Sequence, residues 1–249
     1  MNYGNSKRAF TLAEILISLT IIGVVAAITI PSLTGKTNSK QFAATYKKAF
    51  STIGQALKLG AADGKDASMQ MSSTDLQLTA GKILQENVGA RKLNTAWTIK
   101  VPTNSAWALG TNNILVPNSS VPGDFTLPAG SETYVLKDGL AHIIIAYPNS
   151  GRCYSAGKPI YTGDQNNPVN YSGSYCAAFI DVNGAKGPNQ VITCDNQSEV
   201  MPEKFTLNIT SDNCTLTSES ITDIYPIVIY DDKILPATPA AAAVLEDRF

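Results

Sequence analysis

One carboxylate stands where its surroundings should expel it. Glu14 lies in AFTLAEILISLTIIGVVAAITIPSL, just ahead of a stretch from Ile15 to Leu33 that has no charged side chain. An acid in a bilayer segment costs on the order of 3 kcal/mol on insertion scales, which marks it as functional. Cys153, Cys176, Cys194 and Cys214 form a second group, in the C-terminal part of the chain. None forms a CxxC pair and His142 is the only histidine, so a zinc site is not expected. Widely spaced cysteines in even number, behind a membrane signal, read as disulfides made outside the cytoplasm. Four cysteines allow three pairings. Cys153 with Cys176 and Cys194 with Cys214 are the expected pairs, because each would staple a polar, turn-rich loop. A third group, Asp181, Asn183 and Asp195, offers hard oxygen ligands to calcium. The local supply of carboxylates is thin, however, and an Asn183-Gly184 turn ending a strand explains the same residues. A turn, with no metal, is expected.

Catalytic constellations are missing. The sequence has no GxSxG, Walker loop, HExxH or dinucleotide fingerprint. Any serine or cysteine triad must use His142, which sits in LAHIIIAY as one strand residue among apolar ones, so it reads as structural. Asp231 and Asp232 follow a strand and precede Lys233, as a solvated turn would. Neither an enzyme nor a cofactor is expected. A net charge of −1 argues against a nucleic-acid binder that works by bulk positive charge. Only 16% of the 249 residues are charged, a polar but uncharged composition common in exported, β-rich proteins.

The element that must hold Glu14 is a helix. From Phe10 the apolar run is long enough to cross a hydrocarbon core at 1.5 Å per residue. Lys7 and Arg8 precede it, and basic flanks stay cytoplasmic, so the body of the protein should face outward. A cleaved signal peptide would end in small residues; only Ala26-Ala27 imitates such a site. Beyond Pro31 the pattern turns amphipathic, with Phe42, Tyr46, Ala49, Phe50, Ile53 and Leu57 on one stripe. One helix is therefore expected from about Phe10 to Leu59, with Gly60 as its stop and a kink or local melting near Thr29 to Pro31.

These residues carry a family resemblance. Lys7-Arg8-Ala9, then Phe10-Thr11-Leu12-Ala13-Glu14, then an apolar run interrupted at Pro31, resembles the prepilin signature of type IV pilins and type II secretion pseudopilins. The resemblance implies that a prepilin peptidase cuts between Ala9 and Phe10 and methylates the new amino terminus of Phe10. It implies that Glu14 is the family's conserved acid and Pro31 the proline that bends the helix. The sequence departs from the pattern at Ala9, where glycine is usual, and at Ala13, where a bulkier aliphatic residue is common. A free Phe10 amine is a cation in an apolar bundle, and a neighbouring subunit's Glu14 would neutralise it. Asp181-Val-Asn183-Gly184 followed by Lys186-Gly187-Pro188-Asn189 resembles a DxNGxxGPN stretch in the globular part of many prepilin-like proteins.

The implied organisation is a leader at 1–9, a transmembrane and filament-core segment at 10–33, and the helix continuation with a globular domain at 34–249. The fold class is α+β, a long N-terminal helix packed on an antiparallel sheet. A short helix is expected from Asp75 to Ala90, capped by Thr74 or Asp75, after a polar loop from Ala61 to Asp75. A hairpin is expected over Thr133 to Pro148 around Asp138-Gly139, a strand before Asn183-Gly184, and another from Ile227 to Tyr230. The tail PATPAAAAVLEDRF reads as a weak helix or as disorder. The function implied is a structural subunit of a type IV pilus or related filament, of a minor or specialised kind. Its partners would be the prepilin peptidase, other pilin or pseudopilin subunits, an inner-membrane assembly platform and, before assembly, the membrane itself. Two alternatives are a type II secretion pseudopilin and a membrane-anchored exported binding or hydrolytic domain whose N-terminus mimics a prepilin.

Overall fold

The computed structural model describes residues 11–65, 67, 79–93, 99–101, 107–109, 115–117, 123–125, 132–145, 175–184, 186–195, 214–230 and 232–249. In chain order the elements begin with α1 (Leu12–Ala62), α2 (Thr79–Val88), β1 (Arg91–Leu93), β2 (Ile99–Val101), β3 (Trp107–Leu109) and β4 (Leu115–Pro117). They continue with β5 (Gly123–Phe125), β6 (Glu132–Val135), β7 (His142–Ile145), β8 (Tyr175–Asp181), β9 (Ile224–Tyr230), β10 (Lys233–Pro236) and α3 (Pro239–Leu245). Two compact units divide the chain, Met1–Asn38 and Ser39–Phe249.

The first unit holds the apolar part of α1. Leu12–Thr29 is long and apolar enough to cross a membrane. Its large apolar side chains, from Leu12 to Ile28, are exposed. Side chains of that kind, left outward in the single chain, are covered by lipid or by other helices. The expected local melting near Thr29 to Pro31 does not occur, and α1 runs on through Pro31. Proline removes only its own N–H, and the flanking turns keep theirs. Thr20 and Thr29 hide their hydroxyls by donating to the Leu16 and Val25 carbonyls at 2.7 and 2.9 Å.

In the second unit the rest of α1 lies against a six-stranded antiparallel sheet of order β1-β6-β7-β8-β9-β10. The amphipathic stripe supplies the contact: Tyr46, Ala49, Ile53 and Leu57 are buried, and Phe42 and Phe50 are partly so. Tyr46 stacks on Tyr225 of β9 with ring centroids 3.9 Å apart and planes 6° from parallel. Around them pack Ile143, Ile145, Ile180, Ile227 and Ile229 from three central strands. Each such side chain, fully buried, contributes about 1.5–3 kcal/mol. The other sheet face is buried as well, since Thr133, Ile144 and Phe179 are all under 4% exposed. The strands therefore read as apolar runs and not as clean alternation.

Helix α1 does not stop at Gly60. It ends two residues later, and Gly64 makes the turn at φ +75°. Gly64 N–H donates to Ala61 O at 2.9 Å and Lys65 N–H to Gly60 O at 3.0 Å, the paired bonds of a Schellman motif. Gly60 is a packing residue instead, since a Cβ there would lie 2.6 Å from Ile83 Cδ1 of α2. The expected cap of the second helix, at Thr74 or Asp75, lies outside the described residues, and the described part of that helix is α2, Thr79–Val88.

The expected hairpin forms between β6 and β7, with Val135 opposite His142 and Gly139 at φ 71° in the turn. Strand β9 begins at Ile224, three residues earlier than expected, and so contains Pro226. Pro226 O accepts from Ala237 N–H, so the missing proline N–H faces the side on which β10 has already ended, at Pro236 opposite Ile227. Of the two expectations for the tail, the helix is the one that forms. Thr238 caps α3 by accepting from Ala241 N–H at 3.1 Å, Pro239 opens it, and Ala240 to Val244 are buried. Elsewhere β2 pairs with β5 and β3 with β4 as two separate antiparallel ribbons.

Candidate functional site

Glu14 sits in the first turn of α1 and closes on Thr11, the residue just before the helix. The Thr11 N–H and the Thr11 hydroxyl both donate to Glu14 Oε2 at 2.8 Å, and Glu14 N–H returns a bond to Thr11 Oγ1 at 3.3 Å. This is a capping box, in which two end groups of the helix satisfy each other. The carboxylate also lies at the positive end of the helix dipole, where a negative charge is favoured. Both donors meet the same oxygen. Thr11 thus fixes the carboxylate through Oε2 alone, and Oε1 makes no hydrogen bond among the described residues. The sequence signal for this box is the Thr-x-x-Glu spacing of TLAE.

Other residues singled out by sequence fall in different places. Ala9 and Phe10 lie outside the described residues, as does Cys153. Pro31 lies within the span of α1, and Cys176 within that of β8. Cys194 and Cys214 form a disulfide with Cα atoms 5.3 Å apart, one of the two expected pairs. Asp195 follows it and is exposed, its N–H donating to Thr215 O at 2.9 Å.

Asp181 and Asn183 belong to the loop after β8. Asp181 is fully buried, and its Oδ1 accepts from Asn183 N–H at 3.0 Å and Gly184 N–H at 2.7 Å. A second buried carboxylate, Asp223, holds the far end of the same loop. Its two oxygens accept from Asn189 and Gln190 N–H, each at 2.8 Å. Burial pushes the Asp223 carboxyl above the usual range, against the pull of these donors and of the Asn183 side chain. Nothing in the sequence pattern singled out Asp223; only its place one residue before β9 hinted at such a role. Among the described residues no three His, Cys, Asp or Glu side chains come together as a metal cluster. What the arrangement does is brace a turn. His142 opens β7 half-buried, and burial lowers its basicity. Its ring covers Gly184, where a Cβ would lie 2.6 Å from His142 Cε1.

A family model, the prokaryotic N-terminal methylation motif, matches residues 4–30. It is the type IV prepilin-like signal, and it spans the residues before α1, the Thr11–Glu14 box and the apolar helix as far as Ile30. No curated protein and no solved structure matches the chain. The signal, one apolar helix and the Cys194–Cys214 disulfide together fit a single-pass, membrane-anchored protein of type IV pilin or pseudopilin kind.

Proposed function

We propose that this protein is a structural subunit of a type IV pilus or related filament, of a minor or specialised kind. The observation that carries the reading is the methylation motif at residues 4–30, with Glu14 at the head of an apolar helix. On this reading residues 1–9 are a leader, and prepilin peptidase cuts between Ala9 and Phe10 and methylates Phe10. Residues 10–33 pass from the bilayer into the filament core, and the globular domain stays outside the cytoplasm. The assembly platform of the inner membrane and the other subunits are its partners. The protein works by assembly and catalyses nothing.

The Thr11–Glu14 geometry supports the role of the acid. A lone charge in an apolar bundle is costly, and a hydrogen-bonded, paired one much less so. Thr11 satisfies one carboxylate oxygen before assembly, and the methylated amine of a neighbouring Phe10 then pairs with the other. Neutralisation at that one place favours a single axial register between subunits. Glu14→Ala tests this. The variant should insert and be processed, yet stay in the membrane fraction while the wild type enters sheared filaments. Filament incorporation of Glu14→Ala at the wild-type level would refute the role.

A further inference from the structure

The loop after β8 contains the dipeptide most prone to spontaneous deamidation, Asn183-Gly184, and the fold cannot do without its glycine. Gly184 sits at φ +66°, and the His142 ring occupies the place where any Cβ would go. Asn183 is therefore held in a vulnerable context by the packing itself. We infer that Asn183 is a latent deamidation site, kept shut by the two buried carboxylates, and that its conversion releases the loop from 183 to 190.

The chemistry is intramolecular. The backbone nitrogen of Gly184 bonds to Cγ of Asn183, the Cγ–Nδ2 bond breaks, and the side-chain nitrogen leaves as ammonia with the Gly184 amide proton. Water then opens the resulting succinimide to aspartate or isoaspartate. Three features oppose the first step. The Gly184 N–H is engaged by Asp181 Oδ1 at 2.7 Å. Asn183 Nδ2 is anchored on Gly187 O at 3.2 Å. Asn183 Oδ1 is buried and, among the described residues, accepts no hydrogen bond that would stabilise the oxyanion. Attack requires the loop to open first, and the Asp223 bonds to Asn189 and Gln190 hold it closed.

Conversion would not be silent. The amide at 183 donates to Gly187 O, and it also acts on the Asp223 carboxyl. A carboxylate at 183 would face these acceptors with no proton to give, and would add a third negative charge beside Asp181 and Asp223. A like charge so close to two buried carboxylates is unfavourable, so the loop should come away from the sheet. A subunit held for long outside the cell would thereby carry an irreversible mark of its age.

The test follows Asn183 by peptide mass mapping of the full-length protein in detergent, beside a synthetic peptide of residues 179–190 in the same mildly alkaline buffer. The folded chain should convert slower than the peptide, by about tenfold or more, as gating by local opening requires. Asp223→Ala should bring the rate toward that of the peptide. Because that variant could fail to fold, wild-type protein in sub-denaturing urea supplies a second arm, in which conversion should rise before global unfolding. Asn183→Asp should speed hydrogen exchange at the Gly184, Asn189 and Gln190 amides and leave the β6–β7 pairing protected. Native conversion at the peptide rate would overturn the inference. So would conversion that stays flat in urea until the whole domain unfolds, or unchanged loop exchange in Asn183→Asp.

Discussion

At Gly81 the space allows a hydrogen atom and nothing larger. A Cβ there would lie 1.9 Å from the Tyr134 hydroxyl, whose ring is pinned because that hydroxyl donates to the buried Glu132, itself paired with Lys92. Gly81→Ala should therefore lower stability by about 1–3 kcal/mol through overpacking, although alanine is the better helix former. Chemical denaturation of the detergent-solubilised protein reads that loss directly. Acid brings out a second residue-scale effect. Burial works to raise the Asp138 carboxyl, but hydrogen bonds from Lys48 and from Leu140 N–H outweigh it, and the net shift is downward. A lowered carboxyl adds stability that is present above its ordinary value and lost as pH falls through its folded value. The wild type should thus exceed Lys48→Ala in melting temperature near neutrality, with the gap closing as pH falls below the ordinary aspartate range. A gap that persists in acid would show that Lys48 acts through packing alone. Glu14, by contrast, was legible from the outset because a charge in an apolar run is a local contradiction. Asp223 was not, since a single aspartate before a strand looks like any turn residue until its partners 33 and 34 residues away are seen.

Among the elements, the helices and hairpins that local chemistry specifies were the ones the sequence made readable. The stripe from Phe42 to Leu57 announced the buried face of α1, and Asp138-Gly139 announced the β6–β7 turn. The misplaced boundaries share a cause, which is that tertiary contact overrode a local cue. Gly60 looked like a stop but serves as a contact for Ile83, and the strand expected from Ile227 reaches back past Pro226, which sits where β10 has ended. The alanine run of the tail offers good helix propensity but little side chain to bury, yet Ala241 and Ala243 are fully enclosed. Among the described residues the Cys194–Cys214 bridge is a covalent tie of the domain, with a sequence separation of 20. Closing a loop of that length should add about 2–4 kcal/mol by restricting the unfolded chain. Cys194→Ser with Cys214→Ser should lower the denaturation midpoint accordingly, and the same loss should follow mild reduction of the wild type. A midpoint unmoved by both treatments would show that the sheet and α3 suffice.

The whole molecule joins two kinds of surface. The apolar half of α1 exposes its leucines, isoleucines and valines along the whole of Leu12–Thr29, whereas the Ser39–Phe249 unit has its own core. A soluble monomer would not leave so long an apolar surface uncovered, and on the proposed function the membrane and then the filament would cover it. The methylation motif places a processing signal ahead of that surface. The central claim is that the motif is used, so that the mature chain begins with a methylated amine four residues before Glu14. Mass spectrometry of the N-terminal peptide, from protein made in cells that carry a prepilin peptidase, tests it most directly. The account predicts N-methyl-Phe10 as the first residue. A chain that still begins at Met1, or one cut after Ala27, would contradict it.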